Sequence, residues 1–392
     1  MRQLATRLVG IRASASAEIS QAVRALRAQG RDIVDLGIGQ PDFNTPSHII
    51  EAAHRAALDG QTRYPPIGGT PALKVAVASK FQRENGLTYA PDQILIANGA
   101  KQIIFNGFMA TLEPGDEVLL CAPFFDSYAS IVRILGGVPV KLALREAEGF
   151  ILQPADLHAA LTPKTRWLLL NSPGNPTAAV YSAADYQALG AVLERHPQVL
   201  IMSDEIYEHI IFDGAKHVSF AAACPALTGR TLTVNGASKA YAMTGWRVGY
   251  GGGPAALIQA MTVVQSQICS GVCAIAQAAT VAALDGPQDF VATARAAYQV
   301  RRDLVCDAIG AIKGLSLNKP GGAFYALVNV AALPFATDHA VAQFFLNRAG
   351  VAGVPGHVYG VSPFFRLSLA ASEEKLSQGL KRMKEAVEGL GT

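Results

Sequence analysis

Short runs of valine, isoleucine and leucine alternate with longer amphipathic segments along the middle of the chain. The short runs predict strands over 94–97, 117–121, 138–142, 167–171, 199–203, 231–235 and 247–251. The longer segments between them predict helices over 101–112, 126–135, 183–195 and 255–267. This alternation is typical of α/β proteins, so we expect a doubly wound, mostly parallel sheet with helices on both faces.

The two ends of the chain follow a different pattern. A helix is predicted over 16–29, followed by an extended segment at 33–36, and a long helix over 288–312 precedes strand-like segments at 324–328 and 365–368. We therefore expect a large domain over 46–286 and a smaller α+β domain made of 1–45 and 287–392. Because neither a repeat nor a low-complexity linker separates them, the domains should be closely joined.

Composition narrows the class of protein. The 392 residues are 50% hydrophobic and 16% charged, which suits a large core and also a subunit interface. The net charge of +3 comes without runs of basic residues, so we expect no nucleic-acid partner. The five scattered cysteines indicate reduced thiols, and arginines interrupt the apolar residues near the N-terminus. We expect a cytoplasmic protein that does not cross a membrane.

Several common chemistries lack their sequence signals. The eight histidines show neither HExxH nor a paired Cys/His spacing, so we expect no metal site. The nucleophile motif GxSxG, the phosphate loop GxxxxGK[ST] and a GxGxxG after a strand are also missing from the sequence. Hydrolase, NTPase and nicotinamide-dependent functions are therefore disfavoured.

Polar side chains are concentrated in five segments that we place directly after predicted strands: 98–101, 171–177, 203–207, 237–239 and 246–247. Ligands of open α/β sheets bind at that edge. Pyridoxal 5′-phosphate suits this set, because its phosphate would bind a helix N-terminus and Arg247, and Asp204 would keep its ring nitrogen protonated. Lys239 would condense with its aldehyde and later move the α-proton of the substrate.

An ordered series of motifs carries a resemblance to the fold type I, class I aminotransferases, particularly the bacterial aspartate aminotransferase subgroup. The motifs are LGIGQPDFNTP (36–46), Tyr64, NGAKQ (98–102), APFFDSY (122–128), NSPGNPT (171–177), SDEIYEH (203–209), NGASKAYAMTGWRVGY (235–250) and FFRLS (364–368). The resemblance covers nearly the whole chain. It implies pyridoxal 5′-phosphate as cofactor and a homodimer with shared active sites.

The resemblance also implies roles for individual residues. It implies three catalytic residues. Lys239 binds the aldehyde, and Asp204 pairs with the ring nitrogen. Tyr207, together with Asn175, hydrogen-bonds the cofactor's 3′-oxygen. Further cofactor contacts are implied for Phe125 as the stacking ring, for Gly99, Ala100, Lys101 and Arg247 at the phosphate, and for Tyr64 of the other subunit. Substrate contacts are implied for Gly39, Lys101, Phe125, Asn175 and Arg366, with Arg366 holding the α-carboxylate.

Four positions depart from the subgroup pattern. Phe125 replaces a tryptophan, Gln40 a glutamate, Ala178 a glycine and Gly236 a serine. We expect a ping-pong reaction with aspartate as donor and 2-oxoglutarate as acceptor, in which Lys101 either binds the distal carboxylate or only begins a helix. The alternatives are an aromatic, prephenate or broad-range aminotransferase, a lyase or decarboxylase on the same fold, and a non-catalytic binder of the cofactor.

Overall fold

The computed structural model describes residues 5–11 and 15–390. Its strands are β1 (Val34–Asp35), β2 (Ile94–Ala97), β3 (Glu117–Ala122), β4 (Val138–Ala143), β5 (Thr165–Asn171), β6 (Leu200–Asp204), β7 (Thr231–Gly236), β8 (Gly249–Gly252), β9 (Ser316–Leu317), β10 (Tyr325–Asn329), β11 (Val351–Ala352), β12 (Val354–Pro355) and β13 (Phe364–Ser368). Its α-helices are α1 (Ala15–Ala28), α2 (Ser47–Leu58), α3 (Pro71–Lys80), α4 (Ala100–Met109), α5 (Ser127–Ile134), α6 (Pro154–Ala160), α7 (Ala183–Leu193), α8 (Phe220–Ala223), α9 (Ala255–Ile268), α10 (Ala274–Asp285), α11 (Asp289–Gly310), α12 (Asp338–Phe344) and α13 (Glu373–Glu388). Wider π turns continue α3 over Phe81–Asn85 and α12 over Phe345–Ala349.

The central sheet runs in the order β2-β8-β7-β6-β5-β3-β4 within the described part of the chain. Strand β8 is antiparallel to both of its neighbours, and the remaining pairs are parallel. Leu120 and Met202 pack in the same apolar cluster as residues of α4, whereas Leu119 and Ile201 pack with residues of α7. Both faces of the sheet are therefore covered, and the prediction of a doubly wound, mostly parallel α/β fold is confirmed.

The predicted strands and helices of the middle segment are all present, with shifted ends. The largest consequence concerns the last strand, because β8 begins at Gly249, two residues later than predicted. The placement of Trp246 and Arg247 after a strand is therefore wrong, since they precede β8. Because β8 is antiparallel and Gly249 pairs with Gly236 at the end of β7, Arg247 still reaches the edge where the parallel strands end.

The remaining strands form smaller sheets. Strands β12, β13, β10 and β9 form an antiparallel sheet, and β1 pairs in parallel with β11 through Val34 and Val351. The N-terminal segment thus lies against the C-terminal part of the chain. The domain boundaries at 46 and 286 stay a prediction. Within residues 5–11 and 15–390, no helix combines the length and the apolar character needed to cross a bilayer.

Candidate active site

A cavity of about 420 Å³ opens at the edge where the parallel strands end. It is lined by Gly39, Ala100, Lys101, Phe125, Asn175, Asp204, Tyr207, Lys239, Arg247 and Arg366, which the sequence singled out, and also by Ser20, Ile38, Gln40, Ile104, Tyr128, Asn171, Ile206, Ser238, Thr244 and Tyr325. We call it the strand-end pocket. A larger cavity of about 710 Å³ lies between α1, α5 and α12, but the groups predicted to do chemistry gather in the strand-end pocket.

Lys239 follows β7 by three residues and extends into the strand-end pocket. Its Nζ donates a hydrogen bond of 2.7 Å to the carbonyl of Gly39 and lies 5.6 Å from the ring centre of Tyr207. Burial, together with the cations Arg247 and Arg366, lowers the pKa of Lys239 to about 8, although Asp204 opposes them. A substantial share of this amine is therefore neutral near pH 8 and able to act as a nucleophile or a base.

Asp204 is the last residue of β6 and is buried in the pocket wall. Its Oδ2 accepts a hydrogen bond of 2.6 Å from the hydroxyl of Tyr128, and its Oδ1 accepts one from the N–H of Ile206. Burial raises the pKa of Asp204 to about 6, although both hydrogen bonds and Lys239 favour the carboxylate. A cation brought against it would hold it ionised, which is what a protonated ring nitrogen would do.

Arg366 lies in β13 and is only 1% exposed. Its Nη1 donates to Asn175 Oδ1 at 3.0 Å and its Nη2 to the carbonyl of Gly37 at 2.7 Å. Its Nε is buried without a hydrogen-bond partner, and among the described residues no carboxylate lies within ion-pair distance of it. A buried guanidinium without a carboxylate partner fits a ligand that carries one.

The residues where α4 begins could hold a phosphate. The N–H groups of Ala100 and Lys101 are in the first turn, where no earlier helical carbonyl can pair with them. Gly99 precedes them with φ of +86°, and a side chain there would collide with the guanidinium of Arg247. A side chain at Gly249 would collide with the backbone of Ala100. The two glycines thus allow the guanidinium of Arg247 to lie close to the first residues of α4.

Lys101 lies at the mouth of the pocket with an exposed side chain. Its Nζ is 5.0 Å from the ring centre of Phe125. Partial burial of the amine lowers the pKa of Lys101, Arg247 lowers it too, and Asp126 opposes both effects. The amine lies beside the ring of Phe125 and has no carboxylate within 4 Å among the described residues. This leaves both predicted roles of Lys101 possible.

The structure brings together most of the residues that the sequence placed in the site. Tyr64 is an exception. Its side chain is 94% exposed and outside the strand-end pocket of this single chain. Tyr128 and Tyr325 were missed. Tyr128 is the last residue of the motif APFFDSY, which could have identified it as a site residue. Tyr325 lies in β10 of a different sheet, and no motif in the sequence points to it.

Two of the departures from the family pattern have visible consequences. Ala178 adopts φ of +57°, a left-handed conformation that favours glycine and costs other residues about 1–2 kcal/mol. At Gly236 a Cβ would lie 3.0 Å from the carbonyl of Val248 and 3.2 Å from Ile206. The neighbouring backbone would have to give way before a serine could be placed there.

Behind the pocket, the turn that follows β6 is held by buried charges. Asp204 and Tyr207 line the pocket, while Glu205 and Glu208 lie in a buried cluster with Lys80 and His217. The cluster brings Glu205, Glu208 and His217 within ligating distance of one another, as it does Glu84, Glu208 and His209. Because Lys80 already pairs with Glu208, protein charges neutralise that carboxylate. The expected absence of a metal stays a prediction.

Comparisons with known proteins agree over nearly the full length of the chain. The family model described as aminotransferase class I and II matches residues 31–383. An aspartate aminotransferase of Rhizobium meliloti is 49% identical over 99% of this chain and 97% of its own length. An aspartate/prephenate aminotransferase of Cereibacter sphaeroides is 46% identical over 100% of both chains.

Solved structures give the same result. The crystal structure of the aspartate aminotransferase from Rhizobium meliloti superposes with a TM-score of 0.96 at 49% identity and covers 99% of both chains. The Thermus thermophilus aspartate aminotransferase with maleate superposes with a TM-score of 0.94 at 42% identity, covering 98% of this chain and 100% of that one. An aromatic aminotransferase from Pyrococcus horikoshii is more distant, at 36% identity and a TM-score of 0.89.

Proposed function

Because this chain belongs to the class I and II aminotransferases, we propose that its strand-end pocket transfers the amino group of L-aspartate to 2-oxoglutarate. The chain is a pyridoxal 5′-phosphate-dependent enzyme of fold type I. The observation that carries the proposal is the buried guanidinium of Arg366, without a carboxylate partner, in the same pocket as the amine of Lys239. An α-amino acid presents a carboxylate and an amine to such a pair.

The residues of the pocket fit the cofactor at each of its ends. When bound, pyridoxal 5′-phosphate supplies an aldehyde and a ring that withdraws electrons from the substrate Cα. Asp204 would hold the ring nitrogen, while Asn175 and Tyr207 would bind the 3′-oxygen. Phe125 would stack on the ring, and the phosphate would be held by Arg247 and the start of α4 (Gly99, Ala100 and Lys101).

The chain's own groups then do the following work. Arg366 binds the α-carboxylate and thereby fixes which bond of Cα faces Lys239. The amine of Lys239, whose pKa is lowered to about 8 mainly by burial, would take the α-proton from Cα and deliver a proton to the carbon that came from the cofactor's aldehyde. The rings of Tyr207 and Phe324 border this amine at 5.6 and 5.7 Å and keep water away. Donor and acceptor use the site in turn, since both carry an α-carboxylate.

The preference for aspartate is supported by the positive charge of the pocket. The pocket is lined by four basic residues and a single acidic residue, Asp204. With Arg247 at the phosphate, Arg366 at the α-carboxylate and Lys239 at the aldehyde, the charge of Lys101 is left for a second carboxylate of the substrate. Relatives named aspartate aminotransferase agree with this choice. The second candidate is an aspartate/prephenate specificity, which the name of a 46% identical relative favours and which the ring of Phe125 would accommodate.

Lys101→Gln is expected to lower kcat/KM for aspartate by about 10- to 100-fold while changing kcat/KM for alanine and phenylalanine little. The reason is that a hydrogen bond to a charged group is worth about 1.5–3 kcal/mol, and only aspartate offers a distal carboxylate. Steady-state assays with each donor and 2-oxoglutarate measure this. Lys313→Gln, an exposed lysine, serves as the control. Equal losses for all donors would assign Lys101 to the phosphate, and wild-type enzyme inactive on aspartate would refute the proposed substrate.

We propose further that the enzyme is a homodimer with shared active sites. Exposed apolar side chains cluster around Tyr64, at Ile67 and on α9 at Val263 and Ile268, which are 37%, 61% and 51% exposed. The Tyr64 segment lies against α9, since Gln265 Nε2 donates to the carbonyl of Ile67 at 2.7 Å. Exposed apolar surface of this kind marks interfaces. It supports a second copy of the chain, whose pocket Tyr64 would complete.

Mixing an impaired and an inactive variant tests the shared site. Tyr64→Phe is expected to lose about 10- to 100-fold in activity, because the phosphate loses a charged hydrogen bond, and Lys239→Ala is expected to be inactive. In a mixed dimer one pocket combines the intact Lys239 of one chain with the intact Tyr64 of the other. Activity should therefore reappear when the two variants are unfolded and refolded together. If mixing restores nothing although mixed dimers form, Tyr64 does not act across the interface.

We also propose that the enzyme works in the cytoplasm. All five cysteines carry free thiols in the structure, including the exposed Cys273. Reducing compartments keep exposed thiols in this state. Fractionation of cells that produce the protein, followed by immunodetection, tests the assignment.

A further inference from the structure

We propose that Tyr325 is a positioning residue of the transfer reaction, because it donates a hydrogen bond to Tyr207 and so leaves the proton of the Tyr207 hydroxyl free for the cofactor's 3′-oxygen. This inference rests on the proposed function, in which Tyr207 contacts that oxygen. Neither the sequence motifs nor the names of the relatives give Tyr325 a role.

Tyr325 lies between the two groups that the proposal connects. It begins β10, which pairs with β13, the strand of Arg366. Its ring faces the guanidinium, with Cζ of Arg366 4.3 Å from the ring centre, and its hydroxyl oxygen is 2.8 Å from that of Tyr207. A Cβ at Gly39 would lie 2.7 Å from the same hydroxyl, so the glycine leaves the space that the hydroxyl occupies.

The direction of the hydrogen bond follows from the surrounding charges. Two hydroxyls share one contact, so only one of them donates to the other. The guanidinium of Arg366 lies over the ring of Tyr325, with its Cζ 4.3 Å from the ring centre. Burial raises the pKa of both phenols, and Arg366 lowers the pKa of each. A cation held this close to its ring makes the hydroxyl of Tyr325 the better donor, so we infer that Tyr325 donates to Tyr207. The proton of Tyr207 then points elsewhere in the pocket.

The arrangement links substrate binding to the cofactor. Arg366, which would bind the α-carboxylate, acts on Tyr325 through the face of its ring, and Tyr325 acts on Tyr207 through its hydroxyl. Arg366 also donates directly to Asn175, which offers a second connection to the same oxygen. A hydroxyl that accepts a hydrogen bond becomes a stronger donor. Removing the Tyr325 hydroxyl should therefore weaken donation from Tyr207 to the 3′-oxygen without abolishing it.

The test is a pH titration of the visible absorbance of the bound cofactor in Tyr325→Phe. This variant keeps the ring on Arg366 and removes only the hydroxyl. A weaker donor at the 3′-oxygen leaves more negative charge there, so the apparent pKa of the absorbance change should rise by about 0.5 to 1 unit, the equivalent of one neutral hydrogen bond. Tyr207→Phe should raise it further. Tyr89→Phe is the control, since Tyr89 also bonds a hydroxyl, that of Thr233 at 3.1 Å, outside the pocket.

A double variant separates action through Tyr207 from other effects. In the Tyr207→Phe background, Tyr325→Phe should cause no additional rise, because the acceptor of its hydrogen bond is gone. An equal rise in both backgrounds, or no rise in Tyr325→Phe while Tyr207→Phe responds, would overturn the role of Tyr325 and leave the proposed function standing. Wild-type protein without a titrating absorbance, or Tyr207→Phe without a rise, would overturn the proposed site itself.

Discussion

Lys239→Ala is expected to lower kcat by about 10⁴-fold or more while leaving the cofactor bound. The substitution removes both the amine that links the cofactor and the base that moves the α-proton. The substitution leaves the other proposed cofactor contacts unchanged. These are Asp204 at the ring nitrogen, and Arg247 and the start of α4 at the phosphate. Turnover with aspartate and 2-oxoglutarate measures the first effect, and cofactor content after gel filtration measures the second.

Two controls make this result specific. Lys313→Ala removes an exposed lysine far along the chain and should behave like the wild type. A small primary amine in the buffer should restore part of the activity of Lys239→Ala, since the deleted side chain leaves space for it and the lost group is an amine. Near wild-type turnover of Lys239→Ala without added amine would contradict the assignment of Lys239.

Arg366→Lys is expected to lower kcat/KM by about 10²- to 10³-fold for every amino donor. A lysine keeps the positive charge, but it lacks the planar fork that binds a carboxylate with two parallel hydrogen bonds. It would also leave Asn175 Oδ1 and the carbonyl of Gly37 without the donors that now satisfy them. Assays with aspartate and alanine measure the effect.

The pattern across donors distinguishes Arg366 from Lys101. Both donors carry an α-carboxylate, so Arg366→Lys should reduce both activities alike, whereas Lys101→Gln should reduce that of aspartate alone. Arg295→Lys, on the exposed face of α11, is the matched control. A loss for aspartate but not for alanine in Arg366→Lys would place Arg366 at the substrate side chain instead.

Most of the fold was predictable because the strands of a doubly wound sheet are buried on both faces. The run 94–97, for example, consists of apolar residues alone, and all four are buried in β2. The direction of β8 was not predictable, since its GYGG sequence carries little hydrophobic signal and strand direction depends on pairing with β2 and β7. Because β8 is antiparallel, Arg247, which precedes it, still reaches the edge where the parallel strands end.

The candidate site was predictable as far as it follows strand ends. Asp204 ends β6 and Lys239 follows β7, so sequence position alone brings them to one edge. Tyr325 in β10 contacts Tyr207 in the turn after β6, and the two residues are 118 positions apart in sequence. No local pattern encodes such a contact. In the proposed dimer Tyr64 would act in the pocket of a second chain. The left-handed backbone of Ala178 becomes visible only from its φ of +57°.

The most direct test of the account is to reduce the enzyme in its cofactor-bound state with borohydride and to map the modified residue by mass spectrometry. Reduction makes the bond between a lysine and the cofactor aldehyde permanent. The account predicts that the peptide containing Lys239 gains the mass of the reduced cofactor and that the peptide containing Lys101 does not. A cofactor attached to Lys101 or to any other lysine, or no attached cofactor, would contradict it.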